Sequence, residues 1–126
     1  MPKTVLRNPG LVFKPFPFSP AVEANGLVWL SGHTGHAPGE SVAVPGGIKA
    51  ETRQVLENIG TTLHAIGLGY PDVVMATIFM TNMNDFSQMN EVYREFFAED
   101  FPARVTTGVA RLASNYSIEI VVVAAR

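Results

Sequence analysis

Two periodicities divide the apolar positions of this chain. Ile48, Val55, Ile59, Leu63 and Ile66 recur at helical spacing, while Arg53, Glu57 and Thr61 fall elsewhere, so residues 48–66 are predicted helical. Gly67 suits the C-cap of that helix, and Pro71 prevents its continuation. A second helix is expected from Asn84 or Asp85 to about Ala98. Its apolar face would carry Phe86, Met89, Val92 or Tyr93, Phe96 and Phe97. The remaining apolar runs read as strands. Asn25-Gly26 is a hairpin signal joining Ala21–Ala24 to Leu27–Ser31. Asp72–Thr81 and Ser117–Ala124 are buried strands, Arg104–Ala110 precedes the last one, and Thr4–Leu6 is a short first strand. The prolines of the first twenty residues and the Gly/Pro-rich stretch His33–Gly47 predict loops. The resulting order β, β, β, α, β, α, β, β implies an α+β fold, a mixed β-sheet with two helices packed on one face.

With 126 residues, the chain is expected to be one domain spanning 1–126. Only 16% of its residues are charged, which is sparse for a monomer's surface and points to an oligomer. The net charge of −2, with nine Lys and Arg and no basic stripe, argues against nucleic acid as a partner. Zero cysteines exclude disulfides, thiolate nucleophiles and thiolate metal ligands. No long apolar run opens the chain and none reaches the ~20 residues of a membrane span. The expectation is a cytoplasmic protein without membrane contact.

Two charges stand out in the C-terminal third. Glu119 lies inside Ser117–Ala124, whose apolar residues occupy both parities, the pattern of a strand covered on both faces. A carboxylate there is costly unless paired or put to use. Arg104 shares a strand face with Thr106, Gly108 and Ala110, small residues that leave room beside a guanidinium. That planar fork suits a carboxylate. If the last two strands formed a hairpin turning at Ala113–Asn115, Arg104 would face Ala124, five residues or about 17 Å from Glu119 at the strand rise. The two charges are therefore expected to have separate tasks, or to meet across a subunit boundary.

The run Pro102-Ala103-Arg104-Val105-Thr106-Thr107-Gly108-Val109-Ala110-Arg111-Leu112, followed by Ile118-Glu119-Ile120, resembles the closing signature of the RidA (YjgF) family. Pro17–Val22 and Leu27–Gly32 resemble its first hairpin. Glu51–Ile59 resembles its first helix, and Asn84–Phe86, Met89–Tyr93 and Phe96-Phe97 its second. The matches keep the family's order over about residues 15–125. The resemblance implies a chorismate-mutase-like fold, a homotrimer with clefts between subunits, and no cofactor or metal. It also implies hydrolysis of small reactive enamines and imines, such as 2-aminoacrylate and 2-iminopropanoate, to 2-oxo acids and ammonia. Carried over position by position, Arg104 matches the carboxylate-binding arginine and Glu119 the acid that positions water. Ser31, Gly32 and Asn90 match cleft-lining positions, and Phe18 and Thr106 occupy substrate-binding ones.

The sequence departs from the family pattern at several of these places. Phe18 stands where Tyr is usual, Val105 where Ser or Thr follows the arginine, Thr106 where Cys is frequent, and His33 where Gln is typical. These changes leave another enamine open as substrate, for instance an aminomuconate-type intermediate. A non-catalytic trimer that binds small carboxylates is the competing reading. His33-x-x-His36 with Glu40 is a weak metal pattern, and His33 is expected instead at the cleft entrance.

Overall fold

The computed structural model describes residues 2–126; Met1 lies outside them. Seven strands form one sheet: β1 (Thr4–Val5), β2 (Ala21–Ala24), β3 (Leu27–Leu30), β4 (His33–Thr34), β5 (Val73–Met80), β6 (Ala103–Gly108) and β7 (Ile118–Ala125). Two helices, α1 (Gly47–Ala65) and α2 (Phe86–Phe97), pack against it. The spatial order is β1-β2-β3-β7-β5-β6, with β4 pairing β7 beyond the end of β3. Only β5 and β6 run parallel, so the sheet is mixed as the element order predicts.

Local chemistry accounts for the joints. Asn25 and Gly26 both take positive φ, 53° and 77°, the backbone of a tight two-residue hairpin between β2 and β3. At the end of α1, Gly67 has φ 79°. Leu68 N–H donates to Leu63 O, and Gly67 N–H donates to His64 O. That pair of bonds is a Schellman closure, which takes up carbonyls the helix cannot satisfy itself. Asp85 is the N-cap residue of α2, as expected, but makes no side-chain cap; Asn82 Oδ1 instead accepts from Asn84 N–H and caps the 3-10 turn Met83–Asp85 that leads into the helix.

The hairpin considered for the last two strands does not form, because β5 lies between them. β7 is the most apolar strand and takes the centre, antiparallel to both β3 and β5. β6, carrying Thr106, Thr107 and Gly108, takes the edge. The stretch after Gly32 is also not wholly loop. His33 and Thr34 pair with Ile120 and Glu119, one residue out of register with the Trp29–Val123 pairing. Ser31 and Gly32 therefore sit in a bulge, a device that bends a strand and re-aims the residues beyond it.

The core lies between the sheet and the helices. Val28, Leu30, Ala76, Ile78, Met80, Ile118, Ile120, Val122 and Ala124 meet Val55, Leu56, Ile59 and Leu63 of α1 and Met89, Val92 and Phe97 of α2. β7 alternates strictly, Ile118, Ile120, Val122 and Ala124 buried and the residues between half-buried. One face of β7 is thus covered within the chain, not two as its composition suggests. The other face of the sheet is apolar and open, with Trp29 41% and Val105 49% exposed.

Candidate active site

Arg104 enters β6 opposite Ala76 of β5, which places it on the helix-covered face. Three residues of α2, spaced four and three apart, receive it. Asn90 Oδ1 accepts a 2.7 Å hydrogen bond from Arg104 Nη1. The Phe86 and Tyr93 rings lie 5.6 and 4.8 Å from the guanidinium carbon. This shelf holds the fork by cation–π contact and one hydrogen bond without neutralising it. Among the described residues no carboxylate lies within 4.0 Å of Arg104. Thr106 follows on the same face, its hydroxyl buried and unpartnered. Arg104 and Thr106 line a groove of about 440 Å³ with Met83 and Phe86. A second groove of about 260 Å³ opens on the other side of Arg104, between Asn90, Tyr93, Arg94, Phe101 and Pro102.

Glu119 belongs to the opposite face. Its neighbours Ile118 and Ile120 point into the core, so alternation directs Glu119 to the open side, opposite Phe79. Burial raises its carboxyl above the ordinary glutamate range. The carboxylate rests on Gly32: a Cβ added there would lie 3.0 Å from Glu119 Cδ and closer still to Oε2. Gly32 has no left-handed φ, so close approach, and not backbone freedom, is what requires glycine. Beside it, Ser31 Oγ donates to Ser19 O at 2.6 Å and fastens the Phe18 loop to the end of β3. Phe18 itself is 57% exposed and stacked on Phe16.

The candidate residues therefore fall into two groups within one chain. Arg104, Asn90 and Thr106 lie together, as do Glu119, Gly32, Ser31 and the Phe18 loop. Arg104 and Glu119 are opposite Ala76 and Phe79 of the strand between them, which separates them by about 10 Å along the strands and about 10 Å across. They also face opposite sides of the sheet, so no salt bridge between them is possible in a single chain.

His33 departs from its expected place. It does not line an entrance but turns toward α1, with Nδ1 2.8 Å from Ser31 O and Nε2 2.8 Å from Thr62 Oγ1. A carbonyl only accepts, so Nδ1 carries the proton and Nε2 accepts from the threonine hydroxyl. Burial lowers its pKa to about 4, with the Ser31 bond opposing and nearby His36 adding to the decrease. The imidazole is neutral at physiological pH.

Sequence reasoning missed three residues. Glu51 on α1 is buried, and its Oε2 accepts from Ser117 N–H at 2.7 Å and Ile118 N–H at 3.2 Å, fixing the start of the strand that carries Glu119. A charged residue on the apolar side of the helix was the available signal. Tyr93 and Arg94, which border the smaller groove, gave none beyond their place on α2.

The sheet carries two helices on one side, and the Arg104 guanidinium, with no carboxylate within 4.0 Å among the described residues, opens onto two grooves. The endoribonuclease L-PSP family model matches residues 14–126, and the chain belongs to this family, the RidA (YjgF) family. A RutC family protein of Pyrococcus horikoshii is 44% identical over 108 residues, 86% of each chain. A 2-iminobutanoate/2-iminopropanoate deaminase of Bos taurus is 40% identical over 86% of this chain and 79% of its own. The crystal structure of YyfA, a Rid family protein of Yersinia pestis, superposes with a TM-score of 0.90 at 35% identity, covering 99% of this chain and 100% of that one. No helix among the described residues is long and apolar enough to cross a membrane.

Proposed function

We propose that this protein hydrolyses small 2-imino acids of the 2-iminopropanoate and 2-iminobutanoate type, with their enamine tautomers, to 2-oxo acids and ammonia. The observation that carries the reading is Arg104, a guanidinium held on an aromatic shelf with no carboxylate of its own. An unneutralised fork at a groove is an anchor for a planar carboxylate. The 40% identity to a deaminase of this specificity supports the same substrate class.

The two residue groups come together in this reading across a subunit boundary. A homotrimer that covers the apolar open sheet face would bring Glu119, Gly32 and the Phe18 loop of one copy to the Arg104 grooves of the next. Arg104 fixes the substrate carboxylate and so orients C2. Glu119 takes a proton from water as the oxygen adds to C2 of the protonated imine. It then returns the proton to the amino nitrogen of the tetrahedral adduct. The C2–N bond breaks as Glu119 takes the adduct's hydroxyl proton, so C2 becomes a carbonyl and ammonia leaves, picking up that proton as ammonium. The raised pKa of Glu119 suits a group that both accepts and gives this proton. A protonated imine is electrophilic enough to need no covalent nucleophile. The net charge of −2 without a basic stripe favours a small acid over RNA as ligand.

The test is a coupled assay in which an amino-acid oxidase generates the imine from alanine and its removal is followed. Arg104→Ala is expected to lower kcat/KM at least about 100-fold, the loss of a charge-assisted bidentate contact. Far-ultraviolet circular dichroism and sedimentation check that fold and assembly persist. A folded Arg104→Ala protein with the wild-type rate overturns the assignment.

A further inference from the structure

The groove of about 260 Å³ on the Phe101 side of Arg104 is bordered by a second guanidinium, Arg94. Arg94 lies 5.9 Å from the Phe101 ring centre and, like Arg104, has no carboxylate within 4.0 Å among the described residues. The acids next to it on α2 are already engaged. Glu91 pairs with Lys49, and Glu95 takes a two-pronged bond from Arg53, both across to α1. Two like charges at one groove repel, and an anion between them removes that cost. Tyr93, 3% exposed, lines the same groove, and its hydroxyl has no partner. Asn90, already bound to Arg104, completes the polar side, and Phe101 and Pro102 supply an apolar floor. The volume falls just below the range of drug-sized pockets and suits a small metabolite.

One arginine accounts for one carboxylate, and the groove offers two. Resting on the deaminase reading, the geometry points to a 2-imino dicarboxylic acid as a preferred substrate, its C1 carboxylate on Arg104 and its distal carboxylate on Arg94. The chemistry is unchanged: water adds at C2, the C2–N bond breaks, ammonia leaves, and a 2-oxo dicarboxylate is released. Arg94 here determines specificity and touches no reacting atom.

The experiment compares imines generated in situ from glutamate and from alanine, for the wild type, Arg94→Ala and Arg94→Lys. The quantity read is the ratio of kcat/KM for the glutamate imine to that for the alanine imine. Arg94→Ala is expected to lower this ratio about tenfold, chiefly through KM, and Arg94→Lys to restore part of it. An unchanged ratio in a folded Arg94→Ala protein, or equal losses on both imines, overturns the inference and leaves the deaminase reading standing. Wild-type protein that processes neither imine overturns both.

Discussion

Gly32→Ala isolates the contact on which Glu119 depends. The glycine has an ordinary φ, so alanine brings no backbone strain, and only the space above it is at issue. The new methyl would sit 3.0 Å from Glu119 Cδ, 3.3 Å from Cγ and inside the envelope of Oε2. Restoring a contact of about 3.5 Å requires the carboxyl group to move by on the order of 1 Å. Because the obstructing atoms are the end of a half-buried side chain, Glu119 can swing away, and stability should change by less than about 1 kcal/mol. Activity should respond far more, since a displacement of about 1 Å at a reacting group costs about 100-fold, or about 2.7 kcal/mol of barrier. The assay is steady-state kinetics on 2-iminopropanoate beside a urea titration of the same protein. The expected pattern is a fall in kcat with KM nearly preserved, because Arg104 is untouched. A Gly32→Ala protein that keeps the wild-type kcat would show that Glu119 is not the water-positioning acid. A loss of several kcal/mol of stability would show that the bulge, not the carboxylate, yields.

Glu51→Ala should cost about 3–5 kcal/mol in denaturant unfolding, because it strands two buried N–H donors at Ser117 and Ile118. Glu51→Gln, which keeps an acceptor, should recover at least half of that. The neutral, half-buried His33 predicts acid sensitivity. Its folded pKa of about 4 lies below the unfolded value near 6.5, so the unfolded chain binds the extra proton between these limits. Stability is complete above about pH 6.5 and falls as pH drops toward 4, by up to about 3 kcal/mol. His33→Gln, which can still donate to Ser31 O, should flatten that slope in urea titrations at about pH 4.5 and 7, and an unchanged slope would assign it to other groups.

Most of the layer architecture is legible in the sequence because periodicity responds to burial. The spacing of Ile48, Val55, Ile59 and Leu63 marks the side of α1 that meets the sheet, and Asn25-Gly26 marks a turn few other dipeptides make. Strand order is not legible. The β6–β7 connection reads as a hairpin locally, and only competition for the centre of the sheet, won by the more apolar β7, separates the two. β4 is hidden because two residues in a Gly/Pro-rich stretch carry no period. Both-parity apolarity in β7 suggests double burial within the chain, whereas its second face is open here. At the site, Arg104 and Glu119 are visible as charges in apolar strands. Glu51 is obscured by the many acids that legitimately occupy helix surfaces, and the Phe86–Asn90–Tyr93 shelf has value only once β6 lies beneath it.

The two halves of the site also differ in how they must be built in time. Everything that holds Arg104 comes from β5, α2 and β6, a contiguous stretch whose key bond spans 14 residues. Glu119 needs Gly32 beneath it and Glu51 behind it, from the far end of the chain, the latter across 66 residues to Ser117. Short loops close at little entropic cost, and long ones close late. The Arg104 shelf is thus favoured to assemble early, while the surroundings of Glu119, the proposed catalytic acid, depend on contacts that close late. A chain caught part-way would hold the proposed carboxylate anchor without the proposed catalytic acid in place.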